Sequence, residues 1–177
     1  ADANPSGMVA VIGLDVASVE KIGAEARDKT GKPVAIANYL IDGNYAVSGD
    51  IEACDAVKEI APTMGVRMAV SLSVAGAFHT DFMEPAVDKL EAVLAETDIQ
   101  SPRIPVISNV DAKPHGKPDA IRETLAKQVT NPVQWETIVT AMVKSEDFEQ
   151  SYEIGPGTVC RGIVKRFWVA SQRRAND

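Results

Sequence analysis

Histidine can take and return a proton near neutral pH without help from burial, and this sequence holds two. His79 stands in Gly76-Ala77-Phe78-His79-Thr80, just past an apolar alternating run, and strand ends in α/β sheets are where sites are built. It is a candidate general base, set against the plainer reading of a helix-capping or hydrogen-bonded structural histidine. His115 lies in Lys113-Pro114-His115-Gly116-Lys117-Pro118 and reads as a surface turn. Gly155-Pro156-Gly157 opens a helical pattern, so its N–H groups could receive an anion or a carbonyl, or its glycines could serve the turn alone. Gln128, one turn before a helix stop, faces either a site or solvent, while Gln134 reads as an N3 capping residue. No G-x-S-x-G, Walker loop, G-x-G-x-x-G or metal-ligand pair occurs, which leaves a candidate base without a nucleophile motif.

The elements that must position these residues fall into two rhythms. Met8–Leu14 reads as an apolar strand; Ser18 caps a helix with Val19, Ile22 and Ala26 on one face, stopped by Thr30-Gly31-Lys32-Pro33. Val34–Leu40 and Tyr45–Ser48 pair across an Asp42-Gly43 turn. Asp50 caps a second helix that buries Ile51, Cys54, Val57 and Ile60 and ends near Gly65. Val66, Met68, Val70, Leu72 and Val74 then alternate with smaller or polar residues as the buried face of a strand. This is a βαββαβ unit of ferredoxin-like type. Beyond it, a helix from Phe82 to about Thr97, a buried strand at Ile104–Ser108, and a helix from Pro118 through Val129 are expected. A helix capped by Asn131 with Pro132 at its first position, a last strand at Tyr152–Ile154 and a terminal helix complete the pattern.

Length and composition exclude several classes. At 177 residues, 45% hydrophobic and 24% charged, the chain is one compact unit or two small ones. Its apolar runs are far shorter than the roughly 20 residues that cross a bilayer, so no membrane partner is expected. Eighteen Lys and Arg against 25 Asp and Glu give a net charge of −7 and no basic stripe with interleaved aromatics, which argues against nucleic acid. Cys54 and Cys160 have no metal-ligand spacing, and Cys54 reads as core.

The stretch Ala75-Gly76-Ala77-Phe78-His79-Thr80-Asp81-Phe82-Met83-Glu84-Pro85-Ala86 resembles the malonyl-CoA:acyl carrier protein transacylase family. So do Ile36-Ala37-Asn38-Tyr39, Tyr45-Ala46-Val47-Ser48-Gly49, Ile104-Pro105-Val106-Ile107-Ser108-Asn109-Val110, Asn131-Pro132-Val133-Gln134-Trp135 and Glu153-Ile154-Gly155-Pro156-Gly157, in the family's order. Residues 38–40, 43–49 and 110–115 look more like the plant and algal plastid branch, which implies a plastid stroma location and otherwise a cytoplasmic one. The resemblance implies an α/β fold: a ferredoxin-like subdomain at 1–74 and, at 75–177, the C-terminal portion of an α/β-hydrolase-like acyltransferase core. The family's serine elbow, glutamine-bearing glycine loop and malonate-binding arginine have no counterpart in this sequence, so the resemblance implies a C-terminal fragment, inactive alone. It further implies His79 as catalytic base, Gln128 as the residue whose backbone carbonyl orients it, and Phe78 as the wall of the acyl pocket. Asn38 is carried over as a substrate contact, although the second Asn common in bacterial relatives is replaced here by Leu40.

The implied activity is transfer of malonyl from malonyl-CoA to the phosphopantetheine thiol of acyl carrier protein, by a ping-pong acyl-enzyme route without metal or redox cofactor. Two alternatives remain: an acyltransferase domain of a polyketide or multifunctional fatty-acid synthase, and a non-catalytic carrier-protein-binding module. Arg161, Lys165, Arg166, Arg173 and Arg174, with no acid between Thr158 and Asn176, form either a docking patch for an acidic carrier protein or an ordinary solvated helix face.

Overall fold

A computed structural model of the chain describes residues 5–145 and 147–174, with side chains up to 169. Strands β1 (Ser6–Ile12), β2 (Val34–Ile41), β3 (Asn44–Asp50) and β4 (Met68–Ser71) alternate with helices α1 (Val16–Thr30) and α2 (Ile51–Ile60). The sheet runs β2-β3-β1-β4, antiparallel throughout, which is the split βαβ arrangement the sequence pattern predicts.

Local chemistry sets the element ends. Asp15, not Ser18, caps α1: its carboxylate accepts the Ser18 N–H at 2.8 Å, so Ser18 occupies the third helical position as a donor. Gly31 closes α1 at φ 67°, donating to the Arg27 carbonyl. Asp50 caps α2 through the Glu52 N–H at 2.9 Å, as its position predicts.

One sheet face packs on α1 and α2. Val9, Val11, Val19, Ile22, Tyr45, Val47 and Val57 form its core. The opposite face carries Met8, Ala37 and Ala46. β4 reverses the expected phase. Register puts Ala69 beside Val11 on the core side and Met68 and Val70 beside Ile12 and Ala10 on the other, where both are more than 40% exposed. Ile51 is likewise exposed, because it sits at the first position of α2, outside the sheet's cover.

Beyond β4 come α3 (Glu84–Glu96), α4 (Pro118–Lys127), α5 (Trp135–Val143) and α6 (Val159–Arg174). Neither predicted strand forms here. Residues 104–108 make a single bridge, Ile107 to Pro114, and leave Ile104 73% exposed; Tyr152 and Ile154 are exposed and outside any strand. An apolar run with only one short bridge to pair its backbone does not extend into a strand and leaves its side chains open to solvent. Asn131-Pro132-Val133 does not start a helix either. It lies beside β2 in parallel, with Tyr39 N–H donating to the Val133 carbonyl at 2.9 Å and Val133 N–H to that of Ala37 at 2.8 Å. α5 therefore begins at Trp135, with Gln134 as its N-cap and no side-chain cap bond. This bridge ties the helical region to the edge of the sheet.

Candidate active site

The segment between β4 and α3 carries His79 at φ 62°, a left-handed conformation uncommon outside glycine. Its imidazole Nδ1 lies 2.9 Å from the backbone carbonyl oxygen of Gln128. A carbonyl only accepts, so Nδ1 carries the hydrogen and Nε2 presents a lone pair. Gln128 is the C-cap of α4, and the last carbonyls of a helix lack intrahelical donors, which makes this oxygen available to the imidazole. An imidazolium formed by proton uptake would also sit at the negative end of α4.

The segment is clamped from both sides. Ser48, whose side chain is fully buried in β3, donates from Oγ to the Phe78 carbonyl at 2.9 Å, and the His79 N–H donates to the Val129 carbonyl at 3.0 Å. Ser6 Oγ accepts the Ala77 N–H at 3.2 Å, and Thr80 Oγ1 donates to the Ala77 carbonyl at 2.7 Å. The sequence reading missed Ser6 and Ser48. Their signal was a hydroxyl in phase with Met8 and Ala46, on the sheet face away from α1 and α2.

A cleft of about 500 Å³ opens beside the histidine, between residues 79–82, the start of β2 and Ser48. Phe78 neighbours the base in the chain but does not line this cleft, and its side chain is 36% exposed. Asn38, half-buried at a β2 bulge, pairs with Val133 and does not line it. The structure thus joins His79 to Gln128 and leaves Phe78 and Asn38 outside that cleft. Gln128 also borders a separate cavity of about 320 Å³ with Val106, His115 and Leu125. There His115 Nε2 lies 3.1 Å from both carboxylate oxygens of Asp111.

Just beyond the Gly155-Pro156-Gly157 turn, the chain supplies its own carboxylate to the start of α6. Glu153 accepts the Cys160 N–H at 3.1 Å and the Arg161 N–H at 2.9 Å, satisfying two of the unpaired donors in the first turn of α6. The Arg161 bond holds the Glu153 carboxyl below its usual range. Among the described residues, no helix is long and apolar enough to cross a membrane.

Comparison with known proteins places this geometry among relatives. The chain is 38% identical over 168 residues to the malonyl CoA-acyl carrier protein transacylase of Escherichia coli K12, covering 93% of this chain and 53% of that protein. It is 35% identical over 173 residues to the mitochondrial malonyl-CoA-acyl carrier protein transacylase of Homo sapiens, covering 93% of this chain and 44% of the other. The solved malonyl CoA-acyl carrier protein transacylase of Coxiella burnetii superposes with a TM-score of 0.86 at 33% identity, over 93% of this chain and 51% of that one. A malonyl-transacylase solved in complex with a type II polyketide synthase acyl-carrier protein gives 0.85 at 33% identity, over 93% and 52%. The chain spans about half the length of the curated relatives it matches. No protein-family model matches it.

Proposed function

The chain belongs to the malonyl-CoA:acyl carrier protein transacylase family, and on that premise we propose that it is the portion of such an enzyme that supplies the general base. Residues 1–74 are the ferredoxin-like subdomain of this reading and 75–177 part of the acyltransferase core. A serine outside this sequence attacks the malonyl-CoA thioester while His79 Nε2 takes the hydroxyl proton. Collapse of the tetrahedral intermediate breaks the carbon–sulfur bond, and His79 returns that proton to the departing CoA thiolate. The pantetheine thiol of the carrier protein then gives its proton to His79 and attacks the malonyl ester, and the proton passes back to the serine oxygen. Phe78 walls the acyl pocket and Asn38 contacts substrate in this scheme.

The observation that carries the reading is the 2.9 Å contact from His79 Nδ1 to the Gln128 carbonyl. It does for a neutral acceptor what the aspartate does in a Ser-His-Asp triad: it holds the imidazole in the tautomer that leaves Nε2 free. The experiment is a chimera in which this chain replaces the matching part of the Escherichia coli relative. Malonyl transfer is expected, with kcat/KM lowered about 10²- to 10⁴-fold by His79→Ala. Gln128→Ala keeps the carbonyl and should change little. Undiminished transfer with His79→Ala would overturn the reading.

The polyketide carrier complex among the solved relatives supports a second substrate reading, in which the acceptor is a polyketide rather than a fatty-acid carrier protein. Comparing the two carriers as acceptors separates them. The plastid stroma is our proposed compartment, supported by the resemblance of residues 38–40, 43–49 and 110–115 to the plastid branch; a fluorescent fusion of the full-length gene product tests it.

A further inference from the structure

We propose that Ser48 is a positioning residue, which fixes the tautomer of His79 by locking the peptide unit between Phe78 and His79. This rests on the reading of His79 as the general base, and the test below separates the two.

The Phe78 carbonyl and the His79 N–H belong to one peptide plane, and each end is held by a different region. Ser48 Oγ, from β3, donates to the oxygen at 2.9 Å; the Val129 carbonyl, just after α4, accepts the N–H at 3.0 Å. With the plane fixed at both ends, the next backbone freedom toward the ring is rotation about the His79 N–Cα bond, after which only the side-chain torsions remain. The N–Cα torsion sits at 62°, the left-handed value that points the imidazole at Gln128, one residue before Val129. A non-glycine residue in that region is strained and persists where its surroundings over-determine it. Ser6 and Thr80 hold the preceding residue, Ala77, but Ser48 alone among these hydroxyls reaches the peptide plane of His79 itself.

Burial supports the assignment. Ser48 is fully buried, and it is the one buried polar residue among those described. Its cross-strand neighbours are Met8 and Ala35, neither of which offers a side-chain partner. A hydroxyl taken out of water needs a hydrogen-bond partner, and the Phe78 carbonyl supplies it. An alanine would suit the strand as well, so the hydroxyl's distinct contribution is to the segment it grips.

The test uses the 177-residue chain with ¹⁵N label and long-range ¹H–¹⁵N spectra of its two imidazoles. Wild type should show the Nδ1–H form for neutral His79. Ser48→Ala should shift His79 toward the Nε2–H form or a mixture, while the His115 pattern, set by Asp111, stays put and reports an intact fold. Ser48→Thr, which keeps the hydroxyl, should restore the Nδ1–H form. Ser48→Cys, a weaker donor, should fall between, and it decides the matter if Ser48→Ala fails to fold. In the chimera, Ser48→Ala should lower kcat about ten- to a hundredfold with a smaller change in KM for malonyl-CoA. An unchanged Nδ1–H signal in Ser48→Ala, or in Ser48→Cys where the alanine variant does not fold, overturns the role of Ser48 and leaves the base assignment standing. A wild-type His79 already in the Nε2–H form overturns both.

Discussion

Val9-Ala10-Val11-Ile12 and Ile104-Pro105-Val106-Ile107 are apolar runs of the same length, one in each region of the molecule, and they meet opposite fates. The first lies in β1, with β3 and β4 in register on either side and α1 and α2 over one face, and Val9 and Val11 are fully buried. The second has one bridge, to Pro114, and leaves Val106 56% exposed. Apolar composition is common to both; neighbours are not. A run becomes a strand when other backbone is present to pair with it, and its side chains become core when another layer covers them. The curated relatives it matches are about twice as long, and the chimera below tests whether that further length supplies both. The candidate base sits where the regions meet, gripped by Ser48 from one and by Gln128 and Val129 from the other.

Core truncation gives the largest expected contrast. Ile22, fully buried between α1 and the sheet, should cost about 3 kcal/mol as Ile22→Ala, measured by denaturant unfolding. Ile104→Ala should cost no more than about 0.5 kcal/mol in this chain, because its side chain is already in water. In the chimera, where the matched protein's remaining portion is present, Ile104→Ala should cost about 2 kcal/mol or more. Equal small costs in both settings would break the account of residues 104–108 as an unpaired strand.

The two cysteines provide a probe in each region. Cys54 is buried in the core, and burial, with Asp55 adding to it, pushes its thiol up to about 11. Cys160 is half-buried at the start of α6; burial and Glu153 raise its thiol too. At pH 8 a thiol reagent should modify Cys160 first, and Cys54 about a hundredfold more slowly, which corresponds to about 3 kcal/mol of opening free energy. Limited proteolysis should likewise leave a protected core from about Gly7 to Val74. Equal labelling rates, or uniform protection of all 177 residues, would erase the distinction between regions.

The same contrast sets what could be read from the sequence. Residues 6–71 were legible because their strands, caps and turn are local signals whose partners lie in this chain: Asp50 caps where expected and Asp42-Gly43 turns where expected. Residues 104–108 and 152–154 were misread because periodicity reports a preference for burial and says nothing about whether a neighbour exists. Asn131-Pro132 was misread as a helix start because the competing pairing, Val133 beside Ala37 and Tyr39, is long-range. The β4 phase failed on the same ground: Met68 and Val70 lie on the face away from α1 and α2, and at this end of it no described residue buries them. At the site, histidine type and a strand-end position pointed to His79, whereas Ser6 and Ser48 act through contacts 71 and 30 residues away.

Selectivity tests the helical side of the junction. If Phe78 walls the acyl pocket as the proposed function has it, its ring would admit malonyl and crowd a methyl on the α-carbon, a discrimination worth about 1 to 3 kcal/mol. In the chimera, Phe78→Ser should narrow the ratio of kcat/KM for malonyl over methylmalonyl thioesters by up to that amount. An unchanged ratio would fit a Phe78 that stays outside the pocket, as it stays outside the cleft here.

The smallest expected effect concerns how, under the proposed function, a chain of net charge −7 would receive a carrier protein that is itself acidic, since like charges repel at long range. Local charge must decide the encounter. Arg166 of α6 and Arg67, just before β4, line one groove of about 250 Å³ together with Asp15 and Asp42, so the groove joins the two regions as the base does. Lys165, next to Arg166 in sequence, is exposed, and neither Lys165 nor Arg166 forms an ion pair among the described residues. The side chains of Arg173 and Arg174 lie outside the described residues. Rim charges steer association more than they hold a complex, so their influence should appear at low salt and fade as the Debye length shrinks. Reversing Lys165 and Arg166 to Glu in the chimera should raise KM for the carrier protein several-fold, about 1 kcal/mol. KM for malonyl-CoA should move less. Arg67→Glu, on the other side of the groove, should act in the same direction if carrier docking spans both regions. Proportional changes for carrier protein and for free pantetheine would instead assign these side chains to an ordinary solvated face, and the regions would then meet functionally at His79 alone.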